Sequence, residues 1–169
     1  MNMKTKELLI KETERIEEDA LYSMKGHYNA AVTQNSLNLR LGLPAAIIAG
    51  IAGGTALAQC PELAGVLAFI TAGLTGAMTF LKPSEKSEQH KSSAARYHSL
   101  RNTIRRFREI EIASSEDIDA LKEKLYQYGE THDELNELSP SIPRKAYELA
   151  KKDIDAGRAK YQADKGGDE

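Results

Sequence analysis

Tryptophan is absent from this 169-residue chain, and only 6% of its residues are aromatic. Large rings supply much of the buried area of a globular core, so a large core is not expected. With the single cysteine, Cys60, there is no intrachain disulfide framework. His27, His90, His98 and His132 stand apart in sequence and lack metal-ligand spacing. No glycine-rich phosphate loop follows a strand pattern, and no serine or cysteine sits in a nucleophile context. Glu12, Glu14, Glu17, Glu18 and Asp19 cluster early, which reads as a solvated helix face and defines no acid/base pair. The expectation is a protein without catalytic residues, cofactor or metal.

The most informative scarcity is of charge. Between Arg40 and Lys82 the only ionisable carboxylate or base is Glu62. The mean hydropathy of -0.49 and net charge of -2 hide this, because they average an apolar stretch with very polar flanks. The stretch reads LGLPAAIIAGIAGGTALAQ over residues 41–59 and LAGVLAFITAGLTGAMTFL over residues 63–81. About 20 helical residues at ~1.5 Å rise cross the ~30 Å core of a bilayer. Two such halves predict a transmembrane helical hairpin, turning near Gln59–Glu62 because Pro61 ends the first helix. The apolar run starts some 40 residues in and carries no small-residue cleavage site, so it is not expected to be a signal peptide.

No strand pattern occurs. The expected fold is all-α: a long N-terminal helix over 3–39, the two spans, and cytoplasmic helices over 84–162 forming a helical bundle. Leu9, Ile16, Ala20, Met24, Ala31 and Leu39 recur at three- and four-residue steps in the first helix, which either ends before the span or runs straight into the membrane at Arg40. Pro44 falls in the first turn of the first span, where it is tolerated or kinks mildly. Ser84 is the expected N-cap of a helix over about 85–112, with Ala94, Tyr97, Leu100, Ile104 and Phe107 on one face. Ser114–Asp117 reads as another helix start, followed by Ile118, Leu121 and Leu125, with Gly129 a candidate end or kink. Ser139-Pro140-Ser141-Ile142-Pro143 is a rigid break, and Pro143 opens a last helix bearing Ala146, Tyr147, Ala150 and Ile154. The Gly166-Gly167 end is expected to fray.

Lysine and arginine flank the spans at Arg40 and at Lys82, Lys86, Lys91 and Arg96, and the connecting loop has none. The positive-inside rule then places both termini in the cytoplasm and the loop with Cys60 and Glu62 outside. Within the spans, small residues recur every four positions: Ala46, Gly50, Gly54 and Ala58, then Ala64, Ala68, Ala72 and Gly76. Such stripes let helix backbones approach closely in lipid. They either close the hairpin on itself or join it to neighbouring chains. Thr71, Thr75 and Thr79 form a second stripe, which either lines an aqueous path in an oligomer or bonds back to its own helix. Neither span contains an ionisable group, which argues against a pump, voltage sensor or ion-coupled transporter.

After the second span the chain turns basic. Arg96, Arg101, Arg105, Arg106 and Arg108 fall on one predicted helix, suited to anionic lipid headgroups or a phosphate-rich ligand. The alternative is that they pair with glutamates of the first helix or the acidic tail. A nucleic-acid partner is not expected, because the chain as a whole is acidic.

A helix, two closely spaced spans, then His90-Lys91-Ser92-Ser93-Ala94-Ala95-Arg96-Tyr97-His98-Ser99-Leu100, and later Leu138-Ser139-Pro140-Ser141-Ile142-Pro143 entering a last helix: this order resembles the SLATT domains, two-transmembrane proteins of bacterial conflict systems. The resemblance covers about residues 5–155 and rests on architecture. It implies a membrane effector that forms a homo-oligomer in the lipid bilayer of the inner membrane. Such an effector is expected to open a pore in antiphage defence when a separately encoded sensor or nucleotide-signalling protein activates it. Two other readings stand beside it. One is a membrane-anchored scaffold that recruits partners. The other is a helical assembly that buries its apolar hairpin between chains.

Overall fold

A computed structural model describes residues 2–159. Among them 90% are helical and none is in a strand. The order is α1 (Asn2–Leu57), α2 (Pro61–Leu81), α3 (Pro83–Arg106), a π-helical turn (Phe107–Glu111), the single turn α4 (Ile112–Ser114), α5 (Ile118–Leu138) and α6 (Arg144–Asp155). The described residues divide into two units, one of residues 31–88 and one of residues 2–30 and 89–159.

Within residues 31–88, the helix expected over 3–39 runs straight on into the span expected from 41, the course left open for it at Arg40. α1 runs unbroken through Arg40 and Pro44. A proline removes one amide donor but leaves the rest of the hydrogen-bond ladder to hold the helix. The turn into α2 falls at residues 58–60, two residues earlier than the expected spans place it. Gln59 takes the left-handed conformation (φ 58°). The Cys60 amide donates to the Thr55 carbonyl at 3.0 Å and the Gln59 amide to that of Ala56 at 3.2 Å. This pair of bonds is a Schellman cap, normally built on glycine. Pro61 then opens α2, where its missing amide hydrogen costs nothing. Glu62 therefore lies in the first turn of α2, near the positive end of the helix dipole, and not in the loop.

The link from α2 to α3 is one residue. Lys82, also left-handed (φ 47°), caps α2 by donating its amide to the Met78 carbonyl. Pro83 starts α3, so Ser84 is inside the helix and not its cap. The buried Ser87 hydroxyl donates to the Ala31 carbonyl at 3.0 Å, tying α3 to α1.

In the other unit the apolar faces meet. Ile16, Ala20 and Met24 of α1 pack with Tyr97, Leu100 and Ile104 of α3 and Leu135 of α5. Leu9, Phe107, Ile112 and Leu121 form a second cluster. Ala94 is buried; Leu39, expected on the apolar face of the first helix, belongs to the 31–88 unit and is exposed. Each fully buried large side chain here contributes about 1.5–3 kcal/mol. The helix expected to run smoothly to 112 instead widens at Phe107–Glu111. A π turn closes on the fifth residue. It therefore sets Ile112 below Phe107, where a regular α-turn would place Glu111. Both Phe107 and Ile112 are buried as a result.

Asp117 is the cap of α5; its carboxylate accepts from the Ala120 amide at 3.0 Å. Gly129 neither ends nor caps this helix. Pro143 precedes α6, whose buried face is small, Ala146 and Ala150, with Tyr147 exposed. The cytoplasmic segment expected to reach 162, and the Gly166-Gly167 end, extend outside the described residues.

Candidate functional site

The helical stretches Met3–Leu57 and Pro61–Ser114, the second broken at Lys82, each hold an 18-residue window, of mean hydropathy 1.4 and 1.8, of which 6% and 0% is buried. By length and composition both can cross a membrane. The core helix of a water-soluble protein passes the same test of composition but has its apolar window covered by protein. Here the windows are bare: Leu43, Ile47, Ile51, Leu63, Val66, Phe69 and Phe80 are all exposed.

The side of each helix that is covered differs from expectation. Over the span of α1 the less exposed positions are Leu41, Gly42, Ala45, Ile48, Ala52 and Thr55; on α2 they are Ala64, Leu67, Thr71, Leu74, Ala77 and Met78. Steps of three and four alternate along nearly all of this pattern, as in a coiled-coil seam. A Cβ added at Gly42 would meet Met78 Cε at 3.1 Å, so the two helices are in close contact there. The four-residue stripes do not form this seam. Ala46, Gly50, Gly54 and Ala58 are exposed, as are Ala68, Ala72 and Gly76, and only Ala64 belongs to it. Gly50, Gly54 and Gly76 have no atom within 4 Å of an added Cβ. The reason is geometric. A step of four residues advances about 400°, so each step drifts ~40° around the helix. Alternating three and four drifts only ~20° per seven residues and stays on one neighbour.

The threonine row drifts likewise. Thr71 is half-buried, Thr75 and Thr79 are exposed. Thr71 donates to the Leu67 carbonyl and Thr79 to that of Thr75, each at 2.9 Å, and Thr55 donates to the Ala52 carbonyl. These hydroxyls bond back to their own helices.

The five arginines do not act as one basic face. Arg101 and Arg108 approach Glu17 of α1 at 3.5 and 2.7 Å, with all three side chains mostly buried. Arg105 lies 3.8 Å from Glu109, and Arg106 donates to the Thr103 hydroxyl at 3.4 Å. Arg96 alone of the five makes no ion pair or hydrogen bond among the described residues. Glu17, read in sequence as part of a solvated face, is instead the anion at the centre of this cluster.

The histidines, isolated in sequence, are not all isolated in space. His27 and His90 are 1% and 5% exposed, and their Nδ1 atoms lie 2.9 Å apart. Tyr97 stacks on His27 at 5.6 Å, and its hydroxyl donates to Asn136 Oδ1 at 2.8 Å. His132 meets the edge of Tyr97. One Nδ1 must carry a hydrogen and the other must accept it, so the two rings hold opposite tautomers. Burial, and then the charge of His90, pull the His27 pKa down to about 4. Burial also lowers that of His90. Burial raises Tyr97, against hydrogen bonds to Ser139 and Ser23 that lower it. A signal was present: His27 continues the run Ala20, Met24 on α1, and His90 precedes Ala94, Tyr97 on α3, both at core spacing. Among the described residues no group of three or more His, Cys, Asp or Glu is placed to hold a metal ion.

These features define an all-helical chain with two helices long and apolar enough to span a membrane. Comparison with protein-family models, with curated proteins and with solved structures returns no match.

Proposed function

We propose that this protein is a SLATT-type membrane effector of bacterial antiphage defence. The C-terminal part of α1 and α2 form a transmembrane hairpin in the inner membrane, with both termini in the cytoplasm. Copies of the chain assemble in the bilayer, and a separately encoded sensor or nucleotide signal triggers pore opening or membrane disruption. The observation that carries the reading is the bareness of the apolar windows, 6% and 0% buried, on helices that already share a seam. Apolar helix surface that the chain leaves uncovered is matched by lipid or by further copies. The glycine stripe Gly50, Gly54 faces this outer surface with open space above it, where a second helix can approach closely.

A membrane-anchored scaffold is the second reading. The back-bonded Thr71 and Thr79 favour it, because their hydroxyls are satisfied without a wetted path. Purified protein reconstituted in dye-loaded liposomes separates the two. Leakage from oligomers, together with loss of membrane potential on overexpression, supports the effector. Liposomes that stay tight with every candidate trigger, and function that survives exchange of the hairpin for an unrelated anchor, leave the scaffold.

A further inference from the structure

Among the five arginines after α2, the unpartnered one lines a groove. A cavity of about 390 Å³ is bounded by Gln89, Ser92, Ser93 and Arg96 of α3 and by Leu138, Ser139 and Pro140 at the end of α5. Gln89, Ser92, Ser93 and Arg96 follow at steps of three, one and three, which places them on one face of the helix. No carboxylate lines the cavity. Other grooves differ: one is lined by Glu18 and Asp19, another by Glu12, Glu130 and Asp133. Ser93 is 7% exposed. Neither its hydroxyl nor that of Ser92 has a hydrogen-bond partner among the described residues. Ser139 is engaged by Tyr97. A second cavity of about 370 Å³ adjoins at Arg96 and adds Ser99, Thr103 and Thr131.

We infer that this groove is a binding site for a phosphate monoester, with Arg96 as its anchoring cation. A guanidinium presents a planar fork of N–H donors that matches two phosphate oxygens, and hydroxyl and amide donors complete the set. Ser92, Ser93 and Gln89 supply those donors from the same helix face. An arginine at the end of α5 also has a structural use, since the last carbonyls of a helix attract cations. Arg96 makes no hydrogen bond to those carbonyls among the described residues, so its donors are open to a ligand. The cavity lies within the size range of small-ligand sites. A phosphatidic-acid headgroup and a free sugar or nucleoside monophosphate present the same chemistry. One residue of the basic run and one groove make this site, whether or not the chain opens a pore.

The test uses the full chain in a nonionic detergent, titrated calorimetrically with glycerol 3-phosphate, and in phosphatidylcholine nanodiscs with and without phosphatidic acid. Saturable binding is expected in at least one arm. Binding in detergent assigns a soluble ester; phosphatidic-acid-dependent binding alone assigns a headgroup. Arg96→Gln should weaken binding about tenfold or more, the scale of a lost charge-assisted hydrogen bond. Arg96→Lys should restore part of it, because the charge returns without the fork. Ser92→Ala, at an exposed position, gives an independent loss without threat to the fold. Lys145→Gln makes the same charge change on exposed α6 and should leave binding intact. No saturable binding in either arm overturns the inference. So does equal weakening by Lys145→Gln, which means diffuse charge attraction. A melting temperature lowered by Arg96→Gln, with no ligand bound by the parent chain, makes Arg96 a helix-end partner and equally overturns it. Dye leakage plays no part in this readout, so its failure and that of the pore reading are told apart.

Discussion

Acidification should loosen the helices around the His27–His90 pair. The fold holds His27 neutral, with a pKa near 4 against the ordinary 6.5. An unfolded chain therefore binds more protons than the folded one between those values. Stability from this group is fully present above about pH 6.5 and falls with pH until about pH 4, where the folded ring also charges. At about 1.36 kcal/mol per pKa unit, the full shift sets a ceiling of roughly 3 kcal/mol. Local relaxation and water penetration around the charged ring reduce this to a working figure of ~1–2 kcal/mol. The melting temperature then drops by about 2–8 °C from this source. The assay is thermal unfolding followed by circular dichroism in a nonionic detergent, from about pH 7 to about pH 4.5, for the parent chain and His27→Asn. Asparagine keeps an amide near the Nδ1 position for the bond to His90 but does not titrate. Carboxylates titrate in both proteins and cancel in the difference. The parent should lose its advantage over the variant as pH falls. If the gap between the two is the same at both ends of the range, the proton-sharing pair does not contribute as described.

Glu17→Gln should destabilise the fold by about 2–3 kcal/mol in thermal unfolding, a little below the ~3–5 kcal/mol for a fully buried pair, because Arg101 and Arg108 lose their shared anion. Phe107→Ala should cost about 3–5 kcal/mol in the same measurement, since the side chain is fully buried against Tyr128. Ala52→Leu, in the seam between α1 and α2, should overpack it by about 1–3 kcal/mol, read as a lower melting temperature in detergent. Gln59→Gly should raise stability by about 1 kcal/mol, because glycine meets no Cβ penalty at φ 58°.

Much of the helical layout was legible because it depends on local rules. Prolines and capping residues mark helix ends through their own backbone limits, so Pro61, Pro143 and the Ser114–Asp117 cluster fell within a residue or two of the observed starts. The apolar faces of α1 and α3 followed from three- and four-residue spacing, and Ile16, Ala20, Tyr97 and Ile104 are buried accordingly. The continuity of α1 through Arg40 was open in the sequence, because a change of composition neither requires nor forbids a change of conformation. The π turn was hidden for a similar reason: nothing in Phe107–Glu111 forbids a regular helix, and packing of Ile112 decides otherwise.

Charge exclusion over residues 41–81 is additive along the chain, so the sequence by itself determined that two helices are long and apolar enough for a membrane. Contacts are not additive in that way. Which small residues face a partner depends on the rotation of each helix about its axis, and drift of the four-residue stripes turned Gly50 and Gly54 outward. Which charge meets which depends on residues far apart in the chain. Only the tertiary structure set His27 against His90, sixty-three residues away, gave Arg101 and Arg108 to Glu17, and left Arg96 facing an open groove.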